Sequence, residues 1–482
     1  MEALQRLHNR GSISTGYDID NSLKMESDNT EYLSRTNASA GNSKTFTFSG
    51  WYKFTEIKTL NGNALFEVTG GGPLKHFSIY TYNYAIGFYD YLGGVDYGKR
   101  TTQLFRDTSA WYHIHVQIDT TDSTAADRSK MYVNGVRITD WSTDHGDFPL
   151  NFDTQANKVN EINRIGRTEH MSGEYLNGYV AEVHLVDGQA LPPTDFGEFD
   201  EDTGIWKPIE TNVSSYGTNG FYLKFDNASD LGEDASGGSS FTLTNVTSAD
   251  QATDTPTNNF AIYNQLIPKD EFIIYEGGTR SKKTTTNRWR TMASTLAVAN
   301  GKWYAEFQNS LYSTTGTDRF VGVAPASIFT KTSSSTGGYL GGNSTETTDS
   351  IGYNSSNGQS YINGSGSSYG DTWTADEIIG VALDMDNGYV YFSKNGTWQN
   401  SGDPTSGSSG TGGIALQLSD EAHYIAGSMY NSNAQLEVNY GGFTVISIAS
   451  GNADSSGYGN FEYAPPTGYY ALCTKNLAEF GG

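Results

Sequence analysis

Tyrosines are concentrated in two stretches of the chain, where their flat rings could stack on the apolar faces of sugars. The first stretch is a run of closely spaced strand residues. The second is rich in glycine, serine and asparagine, which is typical of long loops that display binding residues, and we favour it. Alternation along each strand must bury some members of both groups. The candidate ligand-binding residues are Tyr339, Tyr353, Tyr361, Tyr369, Trp373, Tyr89, Tyr91 and Tyr97.

The chain also contains carboxylates and histidines that hydrolysis could use. The densest acidic run, Glu198 to Asp202, lacks alternating apolar residues, which predicts an exposed turn and not paired carboxylates in a cleft. His113 and His115 share one face of a strand, where a metal or a base could use them. They are equally well explained as the polar outer face of a half-buried strand, and we predict no catalytic residue.

Two further patterns could be sources of chemistry. The run from Tyr391 to Gln399 resembles a strand of jelly-roll polysaccharide lyases, but the arginine-rich strand that such enzymes also need is missing. Aspartates cluster between Asp119 and Asp127 and again at Asp384 to Asn387, without the spacing of a dedicated calcium loop. We therefore predict no cofactor and no metal.

Composition limits the partners of this chain. Its 482 residues carry a net charge of −24, which disfavours binding to nucleic acid and to anionic membranes. No apolar run is long enough to cross a membrane, and the start, MEALQRLHNRGSIS, lacks the apolar core of a secretion signal. Synthesis in a cytoplasm is expected. The single cysteine, Cys473, excludes an intrachain disulfide and is expected to be a buried, inert thiol.

The clearest secondary-structure pattern lies between Ile378 and Trp398. Apolar residues alternate from Ile378 to Asp384, an Asn-Gly turn follows at Asn387, and a second alternating strand begins at Tyr389. A looser version of this plan runs from Trp111 to Ile138. Together with 56 glycines, 13% aromatic residues and little helical periodicity, the repeated plan predicts an all-β chain with two tandem β-sandwiches.

The same patterns divide the chain into four parts. Residues 1–20 are too short and too polar to fold alone, and are expected either to fray or to anchor the chain to a partner. Residues 21–195 form the first sandwich. Residues 196–270 form a structured connector with a Gly/Ser-rich linker. Residues 271–482 form the second sandwich with a C-terminal extension.

Several motifs carry a resemblance to known families. In the first half they are Trp51, Tyr132–Gly135 and Gly178–Leu185; in the second half they are Gly301–Glu306, Gly380–Asp386 and Tyr391–Gly396. On these motifs the first sandwich resembles a concanavalin A-like, laminin-G-type lectin domain. The second resembles a SPRY domain, which is itself a concanavalin-like jelly roll.

The order of these domains adds a narrower resemblance. With the segments Tyr216–Leu223, Asp254–Phe260 and Ala464–Gly468, the chain resembles virion proteins of marine tailed phages that are described as tail-fibre-like or structural. The resemblance implies a non-enzymatic protein on the particle surface that attaches to a host glycan or protein and contacts other virion proteins through its N-terminal segment. It also implies a homo-oligomer, with trimers common among such proteins.

Two other functions stay open at this point. The chain could be a structural or decoration protein of the head or neck that binds only other virion proteins. It could also be a polysaccharide depolymerase, because the concanavalin-like fold also occurs in glycan-cleaving enzymes.

Overall fold

The computed structural model of the protein describes residues 16–56, 62–70, 74–169, 174–266, 271–285, 288–310, 319–327, 338–343 and 348–481. The chain forms two compact units, Ile13–Thr257 and Asn258–Gly482, here called the N-terminal and C-terminal units. Of the predicted anchor, residues 1–20, the first fifteen lie outside the described residues.

The N-terminal unit is a sandwich of two antiparallel sheets. Its strands are β1 (Ser22–Met25), β2 (Tyr32–Thr36), β3 (Thr45–Phe54), β4 (Ala64–Thr69), β5 (Lys75–Tyr82), β6 (Ala85–Leu92), β7 (Val95–Thr101), β8 (Trp111–Asp119), β9 (Ser129–Val133), β10 (Val136–Arg137), β11 (Trp141–Asp144), β12 (Ile162–Ile165), β13 (Gly178–Asp187), β14 (Gly197–Phe199), β15 (Trp206–Pro208), β16 (Phe221–Leu223), β17 (Thr242–Thr244) and β18 (Gln251–Ala252). Short 3-10 helices lie at Ala125–Asp127, Pro193–Asp195 and Ser248–Asp250.

Contacts between aromatic side chains of the two sheets show that the sheets lie face to face. One sheet runs β10-β9-β8-β3-β13-β1-β18, with β16 also paired to β13; the other runs β11-β7-β6-β5-β4-β12-β2-β17. Alternate residues of β3 enter the core, where Phe48 stacks on Phe66 at 4.8 Å and Phe46 meets Phe77 edge-on at 5.1 Å. The alternation of side chains along β3 therefore helps to build this core.

The structure divides the chain at a different place from the boundaries at 195 and 270. Strands from the expected connector complete both sheets of the N-terminal unit: β16 pairs with β13, β17 with β2 and β18 with β1. The division falls between Thr257 and Asn258. Even the Gly/Ser-rich stretch is fixed, because Asp234 within it is buried and pairs with Arg35 at 2.6 Å.

The C-terminal unit is a second sandwich. Its strands are β19 (Phe272–Tyr275), β20 (Arg280–Lys283), β21 (Arg290–Ala293), β22 (Lys302–Gln308), β23 (Arg319–Pro325), β24 (Ile351–Asn354), β25 (Gln359–Ile362), β26 (Ser365–Ser368), β27 (Ile378–Asp384), β28 (Tyr389–Lys394), β29 (Thr397–Trp398), β30 (Ile414–Ala415), β31 (His423–Met429), β32 (Gln435–Asn439) and β33 (Tyr470–Ala471). Short 3-10 helices lie at Gln399–Ser401 and Gly407–Ser409, and one α-helix, α1, spans Thr474–Phe480.

The larger sheet of this unit runs β19-β20-β32-β22-β27-β28-β29, with β30 paired to β28 and β33 to β22. The smaller sheet runs β21-β31-β23-β24-β25-β26. In the predicted Asn387-Gly388 turn only Gly388 has positive φ, whereas the Asn-Gly turns at Asn395 and Asn134 have positive φ at both residues, as two-residue hairpins require. The all-β tandem-sandwich prediction is confirmed.

The C-terminal extension covers the outer face of the larger sheet. Strand β27 is buried along its whole length, because Phe461, Tyr469 and Ala471 pack against the side that faces away from the core. This burial also encloses Cys473, whose thiol pKa is raised to about 12. The thiol is therefore buried and protonated, as expected from the sequence.

Glu306 on β22 fastens this extension to the sheet. Its carboxylate accepts the backbone N–H groups of Glu462 at 3.0 Å and Tyr463 at 2.8 Å, and also accepts hydrogen bonds from Tyr304 and Asn439. Burial raises the pKa of Glu306 to about 7. One buried side chain thus holds both the sheet and the segment that covers it.

We expect Glu306→Ala to lower the free energy of unfolding of the C-terminal unit by about 2 to 3 kcal/mol. The substitution leaves several donors without their acceptor, but Glu462 and Tyr463 are partly exposed, so water can replace part of the loss. Urea unfolding of the full chain, with hydrogen exchange followed in residues 461–471, measures this. The exposed Glu479→Ala is the control, with a change within about 0.5 kcal/mol. Unchanged exchange in Glu306→Ala would contradict the assignment.

Candidate functional site

A flat aromatic surface lies on the outer face of the second sheet of the N-terminal unit. Tyr89 and Tyr91 follow each other on that face of β6, with ring centroids 6.0 Å apart and planes 12° from parallel. His76 of β5 packs against both rings, at 5.8 Å and 5.6 Å. Both tyrosines are partly exposed and His76 is buried. We call His76, Tyr89 and Tyr91 the tyrosine platform.

The platform depends on its neighbours in β7. Gly98 is paired with Tyr89, and a Cβ at Gly98 would lie 2.7 Å from the Cδ2 atom of the Tyr89 ring. Glycine therefore lets the ring lie over the strand. The Tyr89 hydroxyl donates to Asp96 Oδ2 at 2.7 Å, and His145 Nδ1 lies 3.3 Å from the same oxygen. Burial raises the pKa of Tyr89, so its hydroxyl stays protonated as a donor.

Polar groups border the platform on both sides. Arg100 lies over the Tyr82 ring at 4.8 Å and donates to Thr143. In the direction of β12, Arg164 pairs with the buried Glu67 at 3.3 Å. Aromatic faces with carboxylate, guanidinium and imidazole groups beside them can stack on a sugar ring and bond its hydroxyls. The sequence pointed to the two tyrosines, but strand pairing brings in these polar partners from distant segments.

Tyr97 does not belong to this surface. It lies on the core side of β7, where its ring packs against Phe148 at 5.4 Å and Phe152 at 5.0 Å. The prediction that Tyr97 binds a ligand together with Tyr89 and Tyr91 is corrected, because Tyr97 is paired across the hairpin with Asp90, which points to the opposite face from both platform tyrosines.

Three residues of the favoured second group are also core residues. Tyr353 on β24 is fully buried, and Tyr369 and Trp373 are 6% and 2% exposed. They pack together around Phe392 of the opposite sheet, with Tyr353 stacked on that ring at 5.4 Å. Their assignment as ligand-binding residues is corrected: a tract that looks like loop in composition contains strand β24 and the segment that closes the core.

Tyr339 and Tyr361 do come together, on the outer face of the smaller sheet. Their ring centroids are 6.1 Å apart, and both rings contact Phe320 of β23, at 4.7 Å and 5.4 Å. Trp289 packs against Phe320 and Tyr339, each at 5.2 Å. Trp289 and Phe320 were not found from the sequence; the alternation of Phe320 with the core residues of β23 is the signal that could have indicated an outward ring.

The histidines considered for catalysis are buried and neutral. His113 Nδ1 accepts a hydrogen bond from Trp206 Nε1 at 3.0 Å, so its proton is on Nε2 and is directed at Ser49 Oγ, 2.7 Å away. A ring in this state cannot accept a proton from the serine. The face that carries His113 and His115 is polar, as predicted, but the β14–β15 hairpin and the residues before it cover it completely.

The other two candidate catalytic patterns, the acidic run and the run from Tyr391 to Gln399, do not form catalytic sites in the described structure. The acidic run is an exposed turn at the tip of the β14–β15 hairpin, as predicted, and Lys207 holds the pKa of Asp200 down to about 2. Tyr391 is buried under the C-terminal extension, while Lys394 donates to the Thr372 carbonyl and pairs with Glu377. Neither arrangement places an acid and a base side by side in a cleft.

The aspartates considered for calcium have protein partners. Asp119 accepts from Thr121, Asp127 pairs with Arg137, and Asp384 pairs with Lys302. Within the described parts of the chain, no group of three or more His, Cys, Asp or Glu residues is placed to hold a metal ion. In the same residues no helix has the length and apolar character of a membrane span.

An open cleft of about 430 Å³ lies at one end of the N-terminal sandwich. Its lining is polar and rich in glycine, and the carboxylate of Asp187 at its base already accepts the N–H groups of Asn42 and Asn219. The lining residues are Ala40, Gly41, Asn42, Ser43, Lys44, Asp153, Asp187, Gly188, Gly217 and Thr218. Without an aromatic side chain, this cleft is a weaker sugar site than the platform.

Two family models match the chain. Residues 27–195 match the model described as the concanavalin A-like lectin/glucanases superfamily, and residues 302–441 match the SPRY domain model. The chain contains a lectin-like domain and a SPRY domain. The predicted pair of domains is thereby confirmed, each within its own sandwich.

The chain is similar to several solved structures at low identity. The SPRY domain of human HERC1 is 14% identical, covering 36% of this chain and 96% of that one, with a TM-score of 0.28. Mouse laminin α1 domains LG4–5 are 10% identical, covering 94% and 98%, with a TM-score of 0.29. The heptameric SAP-like pentraxin of Limulus polyphemus is 15% identical, covering 36% and 80%, with a TM-score of 0.26. No curated protein matches the sequence. The domain assignments rest on the two family models.

Proposed function

We propose that this protein is a non-enzymatic, carbohydrate-binding component of a phage particle surface, such as a tail fibre, that attaches the particle to its host. The observation that carries the binding function is the tyrosine platform on the lectin-like sandwich. Two near-parallel, partly exposed rings lie beside Asp96 and His145, so a sugar ring can stack while its hydroxyls bond the polar groups.

Binding at such a surface is weak for a single copy. The platform is open and its two tyrosines are only partly exposed, so one sugar buries little area. Many copies on one particle would convert weak contacts into firm attachment, because each further contact is intramolecular once the first has formed. A homo-oligomer, for which a trimer is the expected form, would present three platforms at once.

The virion assignment is supported by the sequence resemblance of the tandem order and of the segments Tyr216–Leu223 and Asp254–Phe260 to tail-fibre-like proteins. The chain would contact other virion proteins through residues 1–20 and reach the outside as part of a particle made in the host cytoplasm. Mass spectrometry of purified particles should then detect the chain; its absence from particles that adsorb normally would contradict this assignment.

Replacing both platform tyrosines, Tyr89→Ala with Tyr91→Ala, should weaken saccharide binding about tenfold or more, since each lost ring removes about 0.5 to 1.5 kcal/mol of stacking. Affinity electrophoresis in gels containing dextran, galactan or mannan measures the loss. The pair Tyr89→Phe with Tyr91→Phe keeps the rings and is the control, with most of the binding retained. Equal saccharide binding by the double alanine variant and by the native chain would contradict the proposal that the tyrosine platform binds saccharide.

The same materials separate the two alternative functions. Release of reducing ends from these polysaccharides would indicate a depolymerase. A chain that binds no saccharide, and whose loss prevents particle assembly, would be a structural protein of the head or neck.

A further inference from the structure

A row of small residues crosses the outer face of the smaller sheet of the C-terminal unit. In register across the strands, Ala426 of β31 is opposite Gly322 of β23, Gly322 is opposite Gly352 of β24, and Gly352 is opposite Tyr361 of β25. A Cβ at Gly352 would lie 2.3 Å from the Leu340 carbonyl oxygen. The missing side chain makes room for the segment that carries Tyr339.

That segment is fixed to the sheet by hydrogen bonds on both sides of Tyr339. Thr291 Oγ1 donates to the Gly338 carbonyl at 3.1 Å, and the Leu340 N–H donates to Ser428 Oγ at 3.0 Å. The Leu340 side chain is fully buried. The Tyr339 ring is therefore held in place before any ligand arrives, which reduces the entropy that binding would cost.

Three partly exposed rings contact one buried ring on this face. Phe320 is 2% exposed and forms the centre; Tyr339 stacks on it with planes 23° apart, and Trp289 and Tyr361 meet it edge-on. Tyr430 extends the cluster through its contact with Trp289 at 5.2 Å. We call Trp289, Phe320, Tyr339, Tyr361 and Tyr430 the aromatic face.

The border of the aromatic face is polar but carries no charge along β25 and β26. These strands read QSYI and SGSS, and all of β26 is exposed. The Tyr361 hydroxyl donates to Gln359 Oε1 at 3.1 Å and accepts from Asn357 Nδ2 at 3.0 Å. Amides and hydroxyls beside flat rings match the hydroxyls and apolar faces of a neutral sugar. An acidic sugar or a charged peptide would find no opposite charge on these strands.

We propose that the aromatic face of the SPRY domain is a second saccharide-binding site, specific for neutral sugars and separate from the tyrosine platform. A pyranose stacks on Tyr361, with the nearly perpendicular Tyr339 ring at its edge, and its hydroxyls bond Asn357 and Gln359. One chain then holds two sugar sites of different chemistry: the platform has carboxylate and imidazole groups beside it, and the aromatic face has amides and serines.

The test uses the full chain and saturation-transfer NMR with neutral oligomers of glucose, galactose and mannose, and with a uronic acid oligomer. In the background of Tyr89→Ala with Tyr91→Ala, neutral oligomers should still bind, and adding Tyr361→Ala should weaken that binding tenfold or more. Tyr361→Phe keeps the ring and should cost only a few-fold. Asn357→Ala removes one exposed side-chain amide without changing the core, and should also weaken binding of the neutral oligomers a few-fold.

The outcomes distinguish this proposal from the platform. Loss of all neutral-sugar binding in the Tyr89/Tyr91 background would overturn the second site while leaving the platform in place. Binding that survives there and is unaffected by Tyr361→Ala and Asn357→Ala would also overturn it. Tight binding of the uronic acid oligomer alone would contradict the neutral specificity. Capture of a protein that depends on Tyr361, with no sugar bound, would replace the saccharide by a protein ligand.

Discussion

Replacing Asp254 with alanine should lower the free energy of unfolding of the N-terminal unit by about 3 to 5 kcal/mol. Asp254 pairs with Lys53 at 2.6 Å, and the two side chains are 1% and 0% exposed. Removing one partner of a buried pair leaves the other charge without compensation, and this loss, rather than the strength of the pair itself, sets the cost. Burial already lowers the pKa of Lys53 even with Asp254 beside it.

Asp254 also joins separate parts of the unit. Its Oδ1 atom accepts the indole N–H of Trp111 at 3.0 Å, and its backbone carbonyl accepts the Ser22 hydroxyl at 2.6 Å. The substitution therefore removes the side-chain links to β3 and β8 at the same place, while the backbone bond to β1 remains. We expect the loss to be cooperative across the unit, because these strands are neighbours or near neighbours in one sheet.

The matched control is an ion pair on the surface of the same unit. Lys44 and Asp153 lie 4.0 Å apart, with side chains 36% and 62% exposed. Asp153→Ala should change stability by less than about 1 kcal/mol, because water screens the pair. Urea unfolding with hydrogen exchange in the β3 and β8 peptides measures both variants. Similar, small effects of Asp254→Ala and Asp153→Ala would contradict the buried-pair argument.

A double variant separates the lost charge from the lost contact. If the unpaired lysine sets the cost, Lys53→Met together with Asp254→Ala should be more stable than Asp254→Ala alone by about 1 kcal/mol or more. An additive, larger loss in the double variant would indicate that packing around Asp254, and not the uncompensated ammonium of Lys53, determines the result.

Strand alternation predicted the local elements well. The run from Ile378 to Asp384 is β27, and the alternating strand after it is β28. These predictions depend only on neighbours one or two residues away. They hold because a sheet that buries one face fixes the direction of every side chain along the strand.

The residues of the candidate site could not be predicted from local patterns alone, because the site depends on pairings between distant segments. Tyr353 and Tyr361 lie in the same tyrosine-rich tract, yet one is in the core and the other on the surface, because Tyr361 is paired with Gly352, the neighbour of Tyr353, and so shares the opposite face. Trp289 joins Tyr339 only because β21 pairs with β31 and the segment before Gly341 crosses the sheet. No local sequence pattern predicts this contact between Trp289 and Tyr339.

The prediction that residues 196–270 connect two separate sandwiches is wrong in its boundaries for the same reason. Its composition of glycine, serine and aspartate is typical of a linker, and composition alone cannot show that Asp234 will meet Arg35 or that Asp254 will meet Lys53. Both aspartates come from the segment assigned to the connector, and both are buried in the sandwich that precedes it. Ionic partners separated by about 200 residues are visible only once the sheets are assembled.

Three buried histidines should make the N-terminal unit lose stability as the pH falls. Burial lowers the pKa of His115 and His184 to about 3 and that of His113 well below its usual value. In the unfolded chain each would titrate near its ordinary value of about 6.5. Below that pH the unfolded state binds more protons than the native state, so stability falls with acid and stops falling only below the native pKa.

The groups around the cluster determine how the effect must be isolated. His184 Nε2 lies 3.9 Å from Glu182, whose own pKa is raised by burial, and Asp90 elsewhere in the unit has its pKa raised to about 7. Carboxyl groups of this kind bind protons in the native state first, so they oppose the histidines between about pH 7 and pH 4. The total pH profile mixes both, and a single-site variant is needed to separate them.

His115→Gln is that variant. His115 Nε2 donates to the Leu191 carbonyl at 3.1 Å, and a glutamine amide can make the same bond without titrating. Relative to the native chain, the variant should gain about 2 to 3 kcal/mol between pH 8 and pH 4.5, which is about 1.4 kcal/mol per pH unit once the unfolded histidine titrates. Urea unfolding at pH 8, 6 and 4.5 measures the difference. The exposed His145→Gln is the control and should follow the native profile closely; if His115→Gln does the same, the buried cluster does not govern acid stability.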